Sequence, residues 1–420
     1  MFDRLFRSDF AKNLATLVSA TVAAQVISFL FNMLLARLYT PEQFGILSVF
    51  VSLVGLVAVF SCFKFDVALV AAKSDEDAEK LLALGFRINF IVSFGALVLV
   101  AANYLLGANG MYAGEKVYDW LWFIPPAVFL VTASQLLWMW NVRGKKFKNI
   151  SWVRIGEALV NGGLAAAVFG IGAWGLLAGT LASQALAVLL LFFIVLRAGN
   201  VRMSGFSKTQ LAETFRNYKE FPRVNILQGF LDIFQLSLIV IFTQHFYGDA
   251  VAGLYGQCMR VLQVPMRLIV LPVAHVYFSE ASERFRSGGD LYGLTKKTAL
   301  RTALFALPVT LALLAAGPEL FALVFGEKWR EAGVYAQLLS VWILVDLARA
   351  PVQQVASVVG KQKWILLVST GGSVLLTGFL FAGYLADLSA RWIFAGIGAS
   401  QALVALVLVF LSLRLSKIKQ

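Results

Sequence analysis

The stretch Ala178-Gly179-Thr180-Leu181-Ala182-Ser183-Gln184-Ala185-Leu186 returns 217 residues later as Ala395-Gly396-Ile397-Gly398-Ala399-Ser400-Gln401-Ala402-Leu403. The same offset carries Arg197 onto Arg414, each closing a long apolar run. Arg143-Gly144-Lys145 and Val359-Gly360-Lys361 match at offset 216, and Tyr39 and Gly45 match Tyr247 and Gly253 at offset 208. Three matches in one order at nearly one spacing read as a helical bundle written twice. Duplicated bundles are a common way to build a transport pathway, with the site between the repeats.

Composition places the chain in a membrane. Hydrophobic residues make up 60% and charged residues 14%, against roughly 45–50% and about 25% in soluble domains. The net charge of +13 would suggest nucleic acid in a soluble protein. Here there is no basic stripe, RNA motif or zinc spacing, and the cations lie in alternate loops, so nucleic acid is not an expected partner. Cys62 and Cys258 are the only cysteines and sit in apolar runs. No disulfide, metal site or cofactor follows from them. Residues 1–12 are basic and amphipathic, but the apolar run behind them is long enough to span, so no cleavable signal is read.

Twelve helical spans are expected, near 13–36, 43–63, 82–106, 118–140, 150–171, 174–196, 224–246, 251–278, 298–317, 333–357, 364–385 and 391–413. Each approaches the roughly 20 apolar residues a bilayer needs, and backbone groups in lipid must bond internally. With the N-terminus inside, 28 of the 36 Lys and Arg fall in inner segments and five in outer ones: Arg37, Lys116, Lys328, Arg330 and Arg391. That asymmetry puts both termini on the cytoplasmic side. The fold class is therefore an all-α polytopic membrane protein, with two six-helix bundles as a parallel repeat around a central cavity. Residues 1–200 form the first bundle, 201–222 a cytoplasmic interfacial linker and 223–420 the second bundle. In the linker, Leu211, Phe215 and Tyr218 share a helical face flanked by cations, the pattern of a helix lying on a leaflet. A solvated linker is the plainer alternative.

Charges inside spans each ask for a reason. Arg260 and Arg267 share a face of the eighth span with Gln263 between them. They point to an anionic ligand; the alternative is structural cations satisfied by carboxylates of neighbouring spans. The seventh span carries a polar stripe of Asn225, Gln228, Asp232 and Gln235, and the first a similar one of Thr21, Gln25, Ser28 and Asn32. Such stripes line water or join helices. Asp346 and Arg349 on the tenth span are spaced for a local ion pair, and Gln353 continues their face. Arg154 and Glu157 on the fifth are spaced alike. Lys64, Asp66 and Arg87 near the inner surface could snorkel. Asp232 and Asp346 are the candidates for H+ or Na+ coupling. No catalytic constellation or ATP-binding motif is present, so the chain is not read as an enzyme.

Leu35-Ala36-Arg37-Leu38-Tyr39-Thr40-Pro41-Glu42-Gln43-Phe44-Gly45 resembles the segment closing the first span of polysaccharide flippases. Gly253-Leu254-Tyr255 with Arg260-Val261-Leu262-Gln263-Val264-Pro265 resembles their eighth span, and Phe325-Gly326-Glu327-Lys328-Trp329 the loop before their tenth. By these segments the chain is similar to the Wzx-type lipid-linked oligosaccharide flippases of the multidrug/oligosaccharidyl-lipid/polysaccharide (MOP) superfamily. The resemblance implies alternating access and an undecaprenyl-pyrophosphate-linked oligosaccharide moved from the inner to the outer leaflet of the bacterial cytoplasmic membrane, for surface polysaccharide or O-antigen assembly. Membrane lipids and the polysaccharide polymerase machinery are the further partners it implies. It also implies a cationic cavity, a role carried here to Arg260, Arg267 and Arg37. Twelve spans count against the peptidoglycan-precursor flippases, which have fourteen. A multidrug or small-solute cation antiporter of the same superfamily is the main alternative, and a glycan-assembly scaffold or polymerase component the other.

Overall fold

The computed structural model describes residues 9–106, 119–197, 205–266 and 270–418. Among them every regular element is a helix. In chain order these are α1 (Asp9–Leu38), α2 (Pro41–Ala58), α3 (Phe65–Val70), α4 (Asp75–Leu105), α5 (Ile124–Arg143), α6 (Phe147–Ala167), α7 (Ala173–Arg197), α8 (Lys208–Asn217) and α9 (Glu220–Tyr247). Then follow α10 (Asp249–Pro265), α11 (Leu271–Ser287), α12 (Leu291–Phe325), α13 (Arg330–Val352), α14 (Val355–Val358), α15 (Gln362–Leu385) and α16 (Ala390–Leu415). Nine of the described helices are long and apolar enough to cross a membrane by length and composition. The other three expected spans are α1, whose described apolar part is Val22–Leu38, the more polar α6, and the pair α10 and α11. The chain is a multi-pass, all-α membrane protein. Large apolar side chains such as Leu99, Leu323 and Leu385 stand exposed on the spans, as a lipid-facing belt requires.

Helix starts follow from local chemistry. Thr40 and Gln43 form a reciprocal capping box at α2, with Pro41 in the first turn. Ser74 caps α4 ahead of Asp75, Glu76 and Asp77, carboxylates that favour the positive end of the helix dipole. Ser207 and Gln210 repeat the box at α8, and Asp290 caps α12.

Two structures depart from the expected spans. The second apolar run does not continue as one helix to residue 63. It stops at Ala58, turns through Phe63 and Lys64 with positive φ of 48° and 59°, and resumes as the short α3. Such left-handed backbone is uncommon for side chains of this size. In the eighth span the α-helical geometry of α10 runs to Pro265 and that of α11 starts at Leu271, with Pro272 in its first turn, while Met266 and Val270 between them are π-helical. In contrast α12 runs 35 residues, about 15 longer than the apolar core of the ninth span, and its backbone departs from helical geometry at Ala316, two residues before Pro318.

The chain divides into two compact units, residues 1–241 and 242–420, with the division inside α9. In the first, α1 packs on α6, α6 on α7, and α5 on both α4 and α7, while α3 nests between α4 and α5. A core of Phe65, Leu69, Leu81, Leu82 and Leu136 forms around α3. Here α8 packs on α4. Its Leu211 and Tyr218 are buried and Phe215 meets Phe65 edge-on at 5.5 Å. Of the face that the sequence offers to a leaflet, Leu211 and Tyr218 are turned toward protein and Phe215 stays exposed. In the second unit α13 is the central helix, touching α10, α12 and α16, and α15 packs on α16.

Corresponding contacts recur in the two units. The Tyr39 hydroxyl at the end of α1 donates to the Ala165 carbonyl in the last turn of α6 at 2.6 Å. The Tyr247 hydroxyl at the end of α9 donates to the Leu388 carbonyl just beyond α15 at 2.7 Å. The first and fifth spans of each half are thus clasped in the same way. The turns after the fourth and tenth spans also match. Lys146 N–H bonds the Asn141 carbonyl and Lys361 N–H the Ala356 carbonyl, around left-handed Lys145 and Gly360. These are Schellman-type helix ends. The backbone aligns them at offset 215, one residue from the offset read in sequence, because the left-handed position falls on lysine in one half and glycine in the other.

Candidate functional site

The candidate residues fall on three helix faces. On α9, Ile233 approaches Gly55, Phe230 meets the Phe60 ring at 5.5 Å, and the Ser237 hydroxyl donates to the Ser52 carbonyl. These residues form the face packed on the second span. Gln228, Asp232 and Gln235 lie about 165° around the helix from it, at 100° per residue. The stripe therefore does not serve to hold α9 on α2. Asp232 is exposed and accepts from the Gln228 amide at 2.8 Å. The side chain of Asn225 lies outside the described residues, as does that of Thr21.

On α1, the packed face is marked by Phe31, against which Gly162 of α6 sits with no room for a side chain. Gln25 and Asn32 are half-buried to one side of that face and Arg37 is exposed in the last turn. The closing segment of this helix has a structural logic of its own. Tyr39 and Phe44 are buried edge-to-face, and Thr40, Pro41 and Gln43 start the next helix. The motif makes a rigid corner and leaves Arg37 as its exposed charge.

On α10, Leu254, Tyr255, Cys258, Met259 and Leu262 are buried, while Arg260 and Gln263 are half-buried. Arg267 lies outside the described residues. The structure adds Gln257, three residues before Arg260 and on the same side of the helix. It is fully buried, and neither amide atom has a hydrogen-bond partner among the described residues. A polar group held this way is uncommon in a folded protein. Its spacing from Arg260 is the signal that could have found it.

On α13, Asp346 and Arg349 form the expected ion pair at 2.6 Å, and Arg349 also bonds Gln353. Asp346 is therefore already partnered within its own helix. Arg154 lies 4.0 Å over the Trp138 ring, a cation–π arrangement joining α6 to α5. Asp66 differs from its expected place at the surface. It is buried, accepts from the Gln135 amide at 2.5 Å and lies 3.6 Å from the Cys62 sulfur. A carboxylate held by a neighbouring span has no need to snorkel. Next to it Arg143 donates to the carbonyls of Leu69, Val70 and Ala72 and pairs with Asp75 at 2.9 Å, closing the C-terminus of α3.

Residues 34–334, more than two thirds of the chain, match the family described as "Polysaccharide biosynthesis protein". The chain belongs to that family. Its fold is that of the MOP transporters. A multidrug resistance MATE family transporter of that superfamily, inward-facing, superposes with a TM-score of 0.73 at 14% identity, covering 93% of this chain and 94% of that one. The lipid II flippase MurJ in an inward closed conformation gives 0.72 at 12% identity, covering 96% and 88%. A MOP superfamily transporter from Pyrococcus furiosus, described by the reverse polarity of its binding pocket, gives 0.66 at 14% identity, covering 98% and 97%. No curated protein matches the sequence. The family and the fold agree with the resemblance carried by the segments around Tyr39, Arg260 and Trp329.

Proposed function

We propose that this protein moves a polyprenyl-pyrophosphate-linked oligosaccharide from the inner to the outer leaflet of a bacterial cytoplasmic membrane. It does so by alternating access between two six-helix repeats, with both termini cytoplasmic. One observation carries the reading: a polysaccharide-biosynthesis chain carries Arg260 and Arg267, seven residues apart, in its eighth expected span with no carboxylate between them. Guanidinium suits a pyrophosphate, because it stays charged and makes bidentate bonds to phosphate oxygens. Polar side chains of the first and seventh spans, Gln25, Asn32, Gln228 and Gln235, would offer the sugar hydroxyls hydrogen bonds in place of water. Arg37 at the end of the first span would meet the charged headgroup. The membrane potential supplies a driving force. With the inside negative, outward movement is downhill by about 2.3 kcal/mol per charge per 100 mV. In that case no coupling ion is required.

The test is complementation of surface-glycan assembly by Arg260→Ala, Arg260→Lys and the same changes at Arg267, with membrane levels of each variant measured in parallel. The alanine variants should lose the glycan at normal protein levels, and lysine should restore part of it. Full complementation by both alanine variants removes these residues from the mechanism.

One observation favours the alternative of a cation antiporter. Asp232 is an exposed carboxylate on a polar helix face, and coupling by H+ or Na+ would use such a group. Asp346, held by Arg349, is the weaker candidate. Efflux of cationic dyes abolished by Asp232→Asn would support that alternative.

A further inference from the structure

The second unit contains a groove that the transport reading does not use. It lies between α11 and α12 and has a volume of about 740 Å³. Its mouth holds Glu280, Arg284, Asp290, Lys297 and Arg301. The two carboxylates are already engaged. Glu280 pairs with Arg284 at 2.6 Å, and Asp290 caps the N-terminus of α12 by accepting from Gly293 N–H at 2.7 Å. Arg284 is held further by the Asp290 carbonyl at 3.1 Å. Lys297 and Arg301 are exposed and form no ion pair among the described residues. The mouth therefore carries one net positive charge, with Lys297 and Arg301 standing outside its ion pair. Its walls are pinned by the Tyr277 hydroxyl, which shares a 2.8 Å hydrogen bond with Thr295.

The groove changes character with depth. Lys297, Arg301, Phe305, Val309 and Leu313 follow one another at intervals of four along α12, so they form one continuous ridge that winds about 40° around the helix at each step. Thr302 and Phe305 line both the groove and an apolar chamber of about 200 Å³ behind it, walled by α10, α12 and α13. The hydroxyls of Thr302, Thr310 and Ser340 in that chamber donate to backbone carbonyls of their own helices, so its surface is effectively hydrocarbon. From Arg301 to Leu313 the ridge rises about 18 Å along the helix. One leaflet of the hydrocarbon core is about 15 Å deep. A charged mouth followed by one leaflet's depth of apolar wall has the dimensions of a lipid.

We propose that this groove binds an anionic phospholipid, its phosphate at Lys297 and Arg301 and one acyl chain along Phe305, Val309 and Leu313. An unbranched acyl chain suits the narrow chamber better than a polyprenyl chain, which carries a methyl branch on every fourth carbon. On the positive-inside reading this end of α12 faces the cytoplasmic leaflet, where anionic lipids attract basic side chains. The site lies wholly within residues 242–420 and is separate from the transported substrate.

The experiment is native mass spectrometry of the full-length protein in detergent, titrated with phosphatidylglycerol or phosphatidylcholine of the same chains. Wild type should bind phosphatidylglycerol in preference, by up to about 30-fold if each cation contributes roughly 1 kcal/mol. Lys297→Gln with Arg301→Gln should abolish the preference. Val309→Trp, which fills the chamber, should weaken the first binding event for both lipids. Lys145→Gln with Lys146→Gln, in the other unit, should change neither. A preference that survives the Lys297/Arg301 change overturns the proposal. So does displacement of phosphatidylglycerol by equimolar inorganic phosphate, which would mean that the headgroup alone is bound. Preferential retention of a polyprenyl phosphate that is lost in the same variants also overturns it, and assigns the groove to the substrate.

Discussion

Replacing Tyr39 by Phe removes one oxygen from a buried clasp and leaves the ring in place. The Tyr39 hydroxyl donates to the Ala165 carbonyl at 2.6 Å, and the side chain is 1% exposed. Ala165 lies in the last turn of α6, where carbonyls lack partners within the helix. Losing the donor should cost about 1–2 kcal/mol, the net worth of one hydrogen bond plus part of the penalty for an unmet carbonyl. That free energy corresponds to opening of the α6 C-terminus about 5- to 30-fold more often. The assay is hydrogen–deuterium exchange of the full-length protein in detergent, read on peptides covering residues 160–172. Tyr247→Phe should loosen residues 380–390 by less, because Tyr247 is only half-buried. The two effects should add, since the clasps lie in separate units. Burial also pushes the Tyr39 hydroxyl above its ordinary value near 10. The folded state therefore holds this proton more tightly than the unfolded chain. Its contribution is complete below about pH 10 and is lost as pH rises through the higher folded value. The difference in melting temperature between wild type and Tyr39→Phe should be flat up to that point and shrink above it. Unchanged exchange in residues 160–172 for Tyr39→Phe would refute the clasp.

Other expectations follow from the same contacts. Cysteine labelling should place Lys145 and Lys208 on one side of the membrane and Lys328 on the other; Lys208 and Lys328 on the same side would reject the proposed orientation. Gly179→Leu should reduce the folded yield, because its side chain would meet the Asn161 carbonyl and Ala165 at the α6–α7 contact, an overpacking costing about 1–3 kcal/mol. Unaltered yield and melting temperature would contradict that packing. Arg143→Ala should destabilise by about 2–3 kcal/mol, since it removes a charged donor from the carbonyls at the end of α3. Limited proteolysis between residues 59 and 74 would report the loss, and unchanged cleavage there would count against it.

Much of the fold was legible because a bilayer sets span length and helices must satisfy their own backbone. The charge alternation and the repeated Gly-x-x-x-Ser-Gln stretch gave the order of the elements. Where apolarity is continuous but backbone geometry is not, the sequence was silent. The run through Phe63 and Lys64 reads as one span, and nothing in its hydropathy announces two left-handed residues. Helix α12 was undercounted for the opposite reason. Its first two turns are polar, and a helix outside the bilayer needs no apolar surface. The candidate polar faces on α1, α9, α10 and α13 were visible from helical spacing alone. Their partners were not. Asp66 and Gln135 are 69 residues apart, and Tyr39 and Ala165 are 126 apart. Gln257 was passed over because a lone amide beside two arginines draws no notice until its burial is seen.

The most direct test of the proposed activity is reconstitution. The purified protein is placed in vesicles carrying a fluorescent polyprenyl-pyrophosphate oligosaccharide on one leaflet, and its appearance on the other is followed with a membrane-impermeant glycosidase. The account predicts protein-dependent translocation that rises with membrane potential and fails for Arg260→Ala at equal protein content. Translocation unaffected by Arg260→Ala, or none by a protein that instead exchanges organic cations for protons, would contradict it.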